Sequence, residues 1–460
     1  MRVREVGGVF RARADCLLYS AAGMFYSAAG IAGWHRRCKK PGINSNPTRR
    51  RPPMKRRLIV IGNGMAGIRT VEEVLALAPD EYAITVVSSE PVVAYNRIML
   101  SPVLAGEKRF DDIVTHPEGW YAGHGVTLLS GCTVTDVDRA RRQVLLEDGR
   151  ALPYDRLVLA TGSVPFIVPV PGHQHPDVLS FRDIQDVERM LAASLQRRRV
   201  AVIGGGLLGL EAANGLLKQG MDVTVIHDMP HLLNRQLDAE ASTLLRETLE
   251  ARGMKFCLGC LTAQIVHGAE GGLEKIVFKD GSELPVDLVV MAVGIRPNVA
   301  LAKKIGLQVD KAILVNDTLQ TFDPCIYAVG ECVQHRGALF GLVAPLYEQA
   351  RVCANHLAER GHSRFVQRST ATTLKVSGVN LYSAGDFTDA DAESLILRDP
   401  ASGVYKRLLI KNDRVIGSVL YGDTNDGVWY FDLIREQRNV ASMRESLLFG
   451  RAEHEQVAPH

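Results

Sequence analysis

Twice in this chain an apolar, strand-like run ends in a glycine turn and resumes at helical spacing, and that repetition narrows the fold more than any other feature. Leu58 to Ile61 runs into Gly62-Asn63-Gly64-Met65-Ala66-Gly67, after which apolar positions recur as in a helix from Ile68 to Leu77. Ile84 to Val87 is the next strand and closes a βαβ unit of about thirty residues. The second copy is a strand over Arg199 to Ile203, the turn Gly204-Gly205-Gly206-Leu207-Leu208-Gly209, a helix over Leu210 to Lys218 and a strand over Val223 to Ile226. One such turn arises easily by chance, whereas two, each between a strand and a helix, carry a physical demand. A pyrophosphate must sit on the positive end of a helix, where free N–H groups point outward and a Cβ would block its approach. Gly62, Gly64 and Gly67, with Met65 and Ala66 opening the helix, meet that demand once; Gly204, Gly206 and Gly209, with Leu207 and Leu208, meet it again. Two bound dinucleotides are expected.

The 460 residues exceed what one core organises, since single cores stop growing near ~250–300 residues. The formal charge of +3 conceals a split: residues 1–53 hold eleven Lys or Arg against Glu5 and Asp15, so that segment is +9 and the remainder −6. A mildly acidic body without a basic stripe argues against nucleic acid as a partner. The first 53 residues also contain an uncharged run from Cys16 to Trp34 flanked by basic residues. A membrane anchor needs ~20 predominantly apolar residues, and this run is diluted by Gly, Ala and Ser, so stable membrane insertion is not expected. An Arg-rich targeting leader is a second reading. The favoured one is an extension, disordered or upstream of the natural start, because Met54-Lys55-Arg56-Arg57 leads straight into the first nucleotide strand. Eight cysteines in a chain of this size fit a reducing, cytoplasmic setting better than a disulfide framework.

Further strands end where cofactor contacts are expected. Leu157 to Ala160 ends in Ala160-Thr161-Gly162, and a proline-rich passage, Val164 through Gly172, then reads as a linker between domains. Asp287 to Ala292 ends in Val293-Gly294 and returns the chain, and Ile326 to Val329 ends in Gly330-Glu331. From about Thr370 onward, alternation and turn signals suggest a mixed α+β domain. The fold expected is α/β, with two Rossmann-like nucleotide-binding domains, the first split by insertion of the second, and a small α+β C-terminal domain. Residues 54–168 and 288–366 would form the first, discontinuous nucleotide-binding domain, 169–287 the second and 367–460 the C-terminal domain.

Glu90 follows the first glycines at the distance where an acidic side chain commonly holds a ribose hydroxyl pair. In the second unit that position reads His227-Asp228; Asp228 would repel a 2′-phosphate and no arginine immediately follows, so NADH is preferred, with NADPH the alternative. Glu331 stands where a carboxylate can meet the ribityl chain of a flavin. Gly341-Leu342-Val343-Ala344-Pro345-Leu346 opens a helix whose N-terminal amides, around Val343, Ala344 and Pro345, could face the reacting edge of the flavin. Cys257-Leu258-Gly259-Cys260 invites a disulfide-redox reading, but the pair falls in a strand without a helix N-terminus to stabilise a thiolate, and reads as packing cysteines. No metal site is expected.

Beyond these units the residues resemble the FAD-dependent pyridine nucleotide oxidoreductases, of glutathione reductase-like architecture, and among them the FAD/NAD(P)H half of assimilatory NAD(P)H-nitrite reductase large subunits. The resemblance runs from about Leu58 to Gly450. It is carried by Ala94-Tyr95-Asn96-Arg97-Ile98-Met99-Leu100-Ser101, Arg235-Gln236-Leu237-Asp238, Gly330 through Gly337, Gly341 through Ala350, Ser383-Ala384-Gly385-Asp386 and Tyr421-Gly422-Asp423-Thr424. It implies Tyr95, Arg97 and Ser101 along the flavin and its pyrophosphate, Glu331 on the ribityl chain and Glu211 beside the nicotinamide, with Glu211 and Pro345 the catalytic positions. Related ferredoxin and rubredoxin reductases commonly place a lysine after the Leu-Ser pair, where this chain has Pro102. Complete nitrite reductase subunits continue into cysteine-ligated iron–sulfur and sirohaem domains. With no cysteine after Cys353, this chain is not expected to reduce nitrite alone. The resemblance implies an electron-transfer flavoprotein in nitrate or nitrite assimilation. NADH would reduce FAD, and the acceptor would be a separate iron–sulfur, sirohaem or molybdenum protein; a homodimer stays open. A ferredoxin or rubredoxin reductase is the second enzyme reading, and a non-catalytic redox sensor the reading of another class.

Overall fold

A computed structural model describes residues 55–361, 363–367 and 371–451; the extension expected over residues 1–53 lies outside them. The first glycine turn belongs to a five-stranded parallel sheet ordered Ile326–Ala328, Arg156–Leu159, Arg56–Ile61, Tyr82–Val87, Thr127–Leu129. The second belongs to a five-stranded parallel sheet of the same plan, ordered Val178–Ser180, Leu288–Met291, Arg199–Ile203, Asp222–His227, Lys255–Leu258. Parallel strands are covered on both faces and so read as unbroken apolar runs. Leu58 to Val60 and Val200 to Val202 are accordingly at most 2% exposed. In each sheet the glycine turn leaves the middle strand at its carboxyl end, where neighbouring connections run in opposite directions and open a crevice.

The two units share a strand-pinning device as well. Arg57 donates through its backbone N–H and guanidinium to Asp155 at 2.7–2.9 Å, tying the middle strand to its neighbour. Arg199 does the same with Asp287 at the matching place in the second sheet. Each aspartate accepts charge-assisted bonds, so both carboxyls are held below the usual range, that of Asp155 at about 2.

The proline-rich linker is in part a two-stranded antiparallel ribbon, Ser163–Pro165 on Ile295–Pro297, where the chain crosses between the sheets in both directions. Where the chain is expected to return, at residue 288, Leu288–Met291 pairs with Val178–Ser180 and Arg199–Ile203 inside the second sheet. Four fully buried apolar residues fit a central parallel strand as well in one sheet as in the other, and pairing alone assigns them.

The C-terminal region forms a five-stranded antiparallel sheet, ordered Thr372–Val376, Val379–Gly385, Arg414–Tyr421, Val404–Lys411, Glu393–Asp399, with the helix Gly427–Glu436 packed on it. It docks against the second unit through one continuous apolar cluster that includes Leu245, Leu249, Leu381, Tyr405 and Val419. Polar ties reinforce the contact. Asp238 caps the helix Ala239–Glu250 by accepting from the Ala241 N–H, and also accepts from Tyr405 Oη at 2.7 Å and Arg407 Nη1 at 3.1 Å. Among the described residues, no helix is long and apolar enough to cross a membrane.

Candidate nucleotide sites

The three glycines of each turn divide into two kinds. A Cβ on Gly62 would lie 2.2 Å from the carbonyl oxygen of Ala160, and one on Gly67 would lie 2.1 Å from that of Gly62. The outer pair therefore lets strand, turn and helix close on the neighbouring strand. Gly64, the N-cap of the helix Met65–Leu77, meets only Arg97 Nε, at 3.9 Å. The second turn repeats the arrangement: a Cβ on Gly204 or Gly209 would lie 2.4 or 1.9 Å from a backbone oxygen, while one on Gly206, N-cap of Leu207–Lys218, would meet nothing within 4 Å. Neither helix has a side-chain cap or an acidic residue in its first turn, so both N-termini present bare amides and an uncompensated dipole.

Around the first turn, Asn63, Gly64, Ser88, Glu90, Tyr95 and Arg97 line one cleft. Glu90 accepts from Tyr95 Oη at 2.8 Å and pairs with the Arg97 guanidinium; Arg97 Nη1 also reaches the Arg182 carbonyl at 3.2 Å. Burial pushes the Tyr95 phenol far above its ordinary value, so it stays protonated and donates. Asn63 uses Oδ1 to accept from Tyr121 Oη, while its buried Nδ2 has no partner. A bare helix end, an arginine over the open glycine and an orphaned amide donor together fit a phosphate-bearing nucleotide with ribose hydroxyls.

A second cluster forms between the carboxyl ends of the flanking strands. Glu331 accepts from Arg182 Nη2 at 2.5 Å and Ser163 Oγ at 2.6 Å. Gly330 packs on Ala66, and its N–H donates to the buried Gln349 at 2.7 Å. Thr161 Oγ1 donates to the Asn298 carbonyl, the Asn298 N–H to Gly162, and Gly162 faces the Arg182 guanidinium. The structure thus brings Ala66, Ala160, Thr161, Gly162, Gly330 and Glu331 to one place. Gln349 ties that place to the helix Val343–Leu357, which Val343, Ala344 and Pro345 open with no side-chain cap.

In the second unit, Leu208 is 40% exposed one turn before Glu211. Glu211 accepts from the Ser377 N–H at 2.7 Å and bonds Ser101, so one carboxyl touches the second unit, the first unit's helix Leu100–Leu104 and the C-terminal domain. Burial raises its pKa. Asp228 is exposed at the end of its strand, with Oδ1 3.3 Å from His227 Nδ1. The His227 ring sits so close over Gly205 that a Cβ there would lie 2.7 Å from it, and burial lowers the His227 pKa. Gly294, at φ +119°, turns the chain into the crossing ribbon.

Arg182, Ser163, Asn63 and Ser377 escape sequence reasoning. Asn63 alone carried a signal, as a polar residue inside the turn; Arg182 follows a three-residue strand too short to read. The cysteine reading is corrected: Cys257 and Cys260 form a disulfide, because the turn at Gly259, φ +70°, brings their Cα atoms to 5.7 Å.

Residues 56–356 match the pyridine nucleotide-disulphide oxidoreductase family, and residues 371–438 match the rubredoxin NAD+ reductase C-terminal domain. A nitrite reductase [NAD(P)H] of Bacillus subtilis (strain 168) is 47% identical over 388 residues, 84% of this chain and 48% of that protein. The assimilatory nitrate reductase electron transfer subunit of the same organism is 42% identical over 395 residues, 86% of this chain and 51% of that protein. The chain therefore spans about half the length of these curated relatives. Among solved structures, the covalent putidaredoxin reductase–putidaredoxin complex matches with TM-score 0.75 and 28% identity over 84% of this chain and 94% of that one. A ferredoxin reductase from Rhodopseudomonas palustris matches with TM-score 0.76 and 26% identity over 84% and 96%.

Proposed function

The chain belongs to the pyridine nucleotide-disulphide oxidoreductase family, and from that premise we propose that it passes electrons from NADH, through FAD, to a separate redox protein of nitrate or nitrite assimilation. The observation that carries this reading is the duplicated site: two parallel sheets of one plan, each presenting an open middle glycine and an uncapped helix end at its carboxyl edge. When both nucleotides are bound, nicotinamide supplies a hydride and the flavin accepts it.

In this reading Gly62, Gly64, Met65, Ala66 and Gly67 form the FAD pyrophosphate cradle, with Arg97 above it, Glu90 on the adenosine ribose and Tyr95 and Ser101 alongside. Arg182 holds Glu331 in place at the ribityl chain, between Ala160–Gly162 and Gly330. The free N-terminal amides of the Val343–Leu357 helix, which Pro345 helps to open, would stabilise negative charge on a bound flavin. Gly204, Gly206, Leu207, Leu208 and Gly209 cradle NADH, Gly294 borders it and the Asp228 carboxylate favours a free ribose over a 2′-phosphate. Glu211, held by the Ser377 N–H, would stand beside the nicotinamide. Residues 54–168 and about 292–366 would make up the FAD domain, and residues 169 to about 291 the NADH domain.

The relatives' names, a nitrite reductase [NAD(P)H] and a nitrate reductase electron transfer subunit, support a redox-protein acceptor, and in this reading that acceptor carries an iron–sulfur, sirohaem or molybdenum centre. A second reading, a ferredoxin or rubredoxin reductase, is favoured by the C-terminal domain match and by the near-complete coverage of reductases that serve small carriers. The test is anaerobic: the purified protein should be yellow, NADH should bleach it, and nitrite or nitrate reductase partners should reoxidise it faster than small iron–sulfur carriers do. Faster reoxidation by the carriers would select the second reading. A colourless protein that takes up no flavin would overturn both.

A further inference from the structure

The Cys257–Cys260 disulfide takes no part in the sites above, yet it borders one of them. Its strand, Lys255–Leu258, is the outermost of the second sheet and pairs with Asp222–His227, Leu258 lying opposite His227. Beyond it the turn reverses at the exposed Gly259, whose N–H donates to the Met229 carbonyl at 3.2 Å. The Cys260 N–H donates to the His227 carbonyl at 3.0 Å. The two amides of the cystine turn therefore hold the carbonyls on either side of Asp228. Both cysteines are half-buried and pack against the apolar cluster that contains Ile203 and Ile226, while Gly259 between them faces solvent. The four remaining cysteines described, Cys132, Cys325, Cys332 and Cys353, are free, and the last three are buried.

We propose that Cys257–Cys260 is a reversible thiol–disulfide site whose closed form holds residues 227–229 in the arrangement that binds the ribose of NADH. This rests on the reading of the second unit as the NADH site. Its substrate is a dithiol, protein or small molecule. One thiolate of the donor attacks a cystine sulfur to give a mixed disulfide, and the donor's second thiol displaces it. Two electrons and two protons pass to Cys257 and Cys260, and the donor leaves as a disulfide; exchange with an oxidised donor runs the same steps backwards. In the open form an edge turn with one exposed glycine keeps its two hydrogen bonds but loses its covalent tie. Binding must then select the ordered segment from a wider ensemble, which weakens NADH without touching the reacting atoms. Opening needs no thiolate from this chain, because the attacking thiolate comes from the donor; closing uses a thiolate of Cys257 or Cys260 against the oxidised donor.

The test uses the full chain with its flavin. Aliquots are treated with reduced or oxidised dithiothreitol, desalted anaerobically, and divided between alkylation mapping and stopped-flow bleaching over a range of NADH concentrations. The tryptic peptide Phe256–Lys275 should carry two alkyl groups after reduction and none after oxidation. The half-saturating NADH concentration should rise roughly five- to tenfold on reduction, a coupling of ordinary allosteric size, with the limiting rate unchanged. A C257S/C260S variant should behave as the reduced form and ignore either treatment. Alkylation of that peptide even after oxidation overturns the proposal, as does equal half-saturation in the two wild-type forms. A flavin that NADH bleaches in neither form overturns the second-unit reading as well, which separates the two failures.

Discussion

Replacing Gly206 and Gly209 by alanine, one at a time, separates two jobs within a single turn. At position 209 the new Cβ would lie 1.9 Å from the Gly204 oxygen and 2.9 Å from its carbonyl carbon. Both are backbone atoms, so the helix start must retreat by about 1.5 Å before the contact becomes an ordinary one. Overpacking of this kind costs about 1–3 kcal/mol, and rigid backbone on both sides places it toward the upper end. At position 206 nothing lies within 4 Å and the backbone is extended, φ −85° and ψ −178°, so alanine fits without strain. In the proposed reading its Cβ nevertheless stands where the NADH pyrophosphate would approach the helix amides. G206A should therefore stay within about 0.5 kcal/mol of the parent in denaturant melts and keep its FAD. Its half-saturating NADH concentration should rise at least about tenfold, equivalent to about 1.4 kcal/mol. G209A should lose both stability and NADH affinity. Parent-like NADH affinity in G206A, or parent-like stability in G209A, would refute the division between ligand-facing and packing glycines.

Gly64→Val should yield folded but colourless protein, since the branched side chain fits beside Arg97 but fills the place of the FAD pyrophosphate; a fully yellow variant would end the assignment of the first unit. Asp155→Asn should lower the melting temperature at neutral pH. The depressed carboxyl contributes stability that is whole above its unfolded value of ~3.9 and is lost as pH falls through about 2, so the gap from the parent should shrink between pH ~4 and 2. A gap that does not vary with pH would exclude the Arg57 pair as its source. Asp238→Ala removes a helix cap of about 1 kcal/mol and strands Tyr405 and Arg407. Hydrogen exchange should quicken in residues 393–421 with flavin content unchanged, and unaltered protection there would show that the apolar contact alone docks the domain.

Much of this was readable before folding because the features are local. A strand, a turn that tolerates no Cβ and a helix with a free N-terminus follow one another within about a dozen residues, and the apolar periods that mark them are properties of the backbone. The duplicated nucleotide units, the strand ends at Gly162 and Gly330 and the separate C-terminal domain were legible for that reason. Asp228, one residue beyond the usual acidic position, was legible as a chemical type; the buried His227 ring behind it on Gly205 was not.

What remained hidden depends on groups distant in the chain meeting in space. Arg182 and Ser163 reach Glu331 across 149 and 168 residues, and Ser377 reaches Glu211 across 166, because sheet crossovers, which no local period encodes, bring those strand ends together. Leu288–Met291 could have joined either sheet until pairing assigned it to the second. Cys257 and Cys260 look like packing residues in a strand until Gly259 takes a left-handed turn and closes them into a ring beside His227. Local stereochemistry thus declared two strand–turn–helix units with free helix ends, and long-range packing, in which each side chain's partner follows from the crossover of whole strands, decided which side chains gather around them.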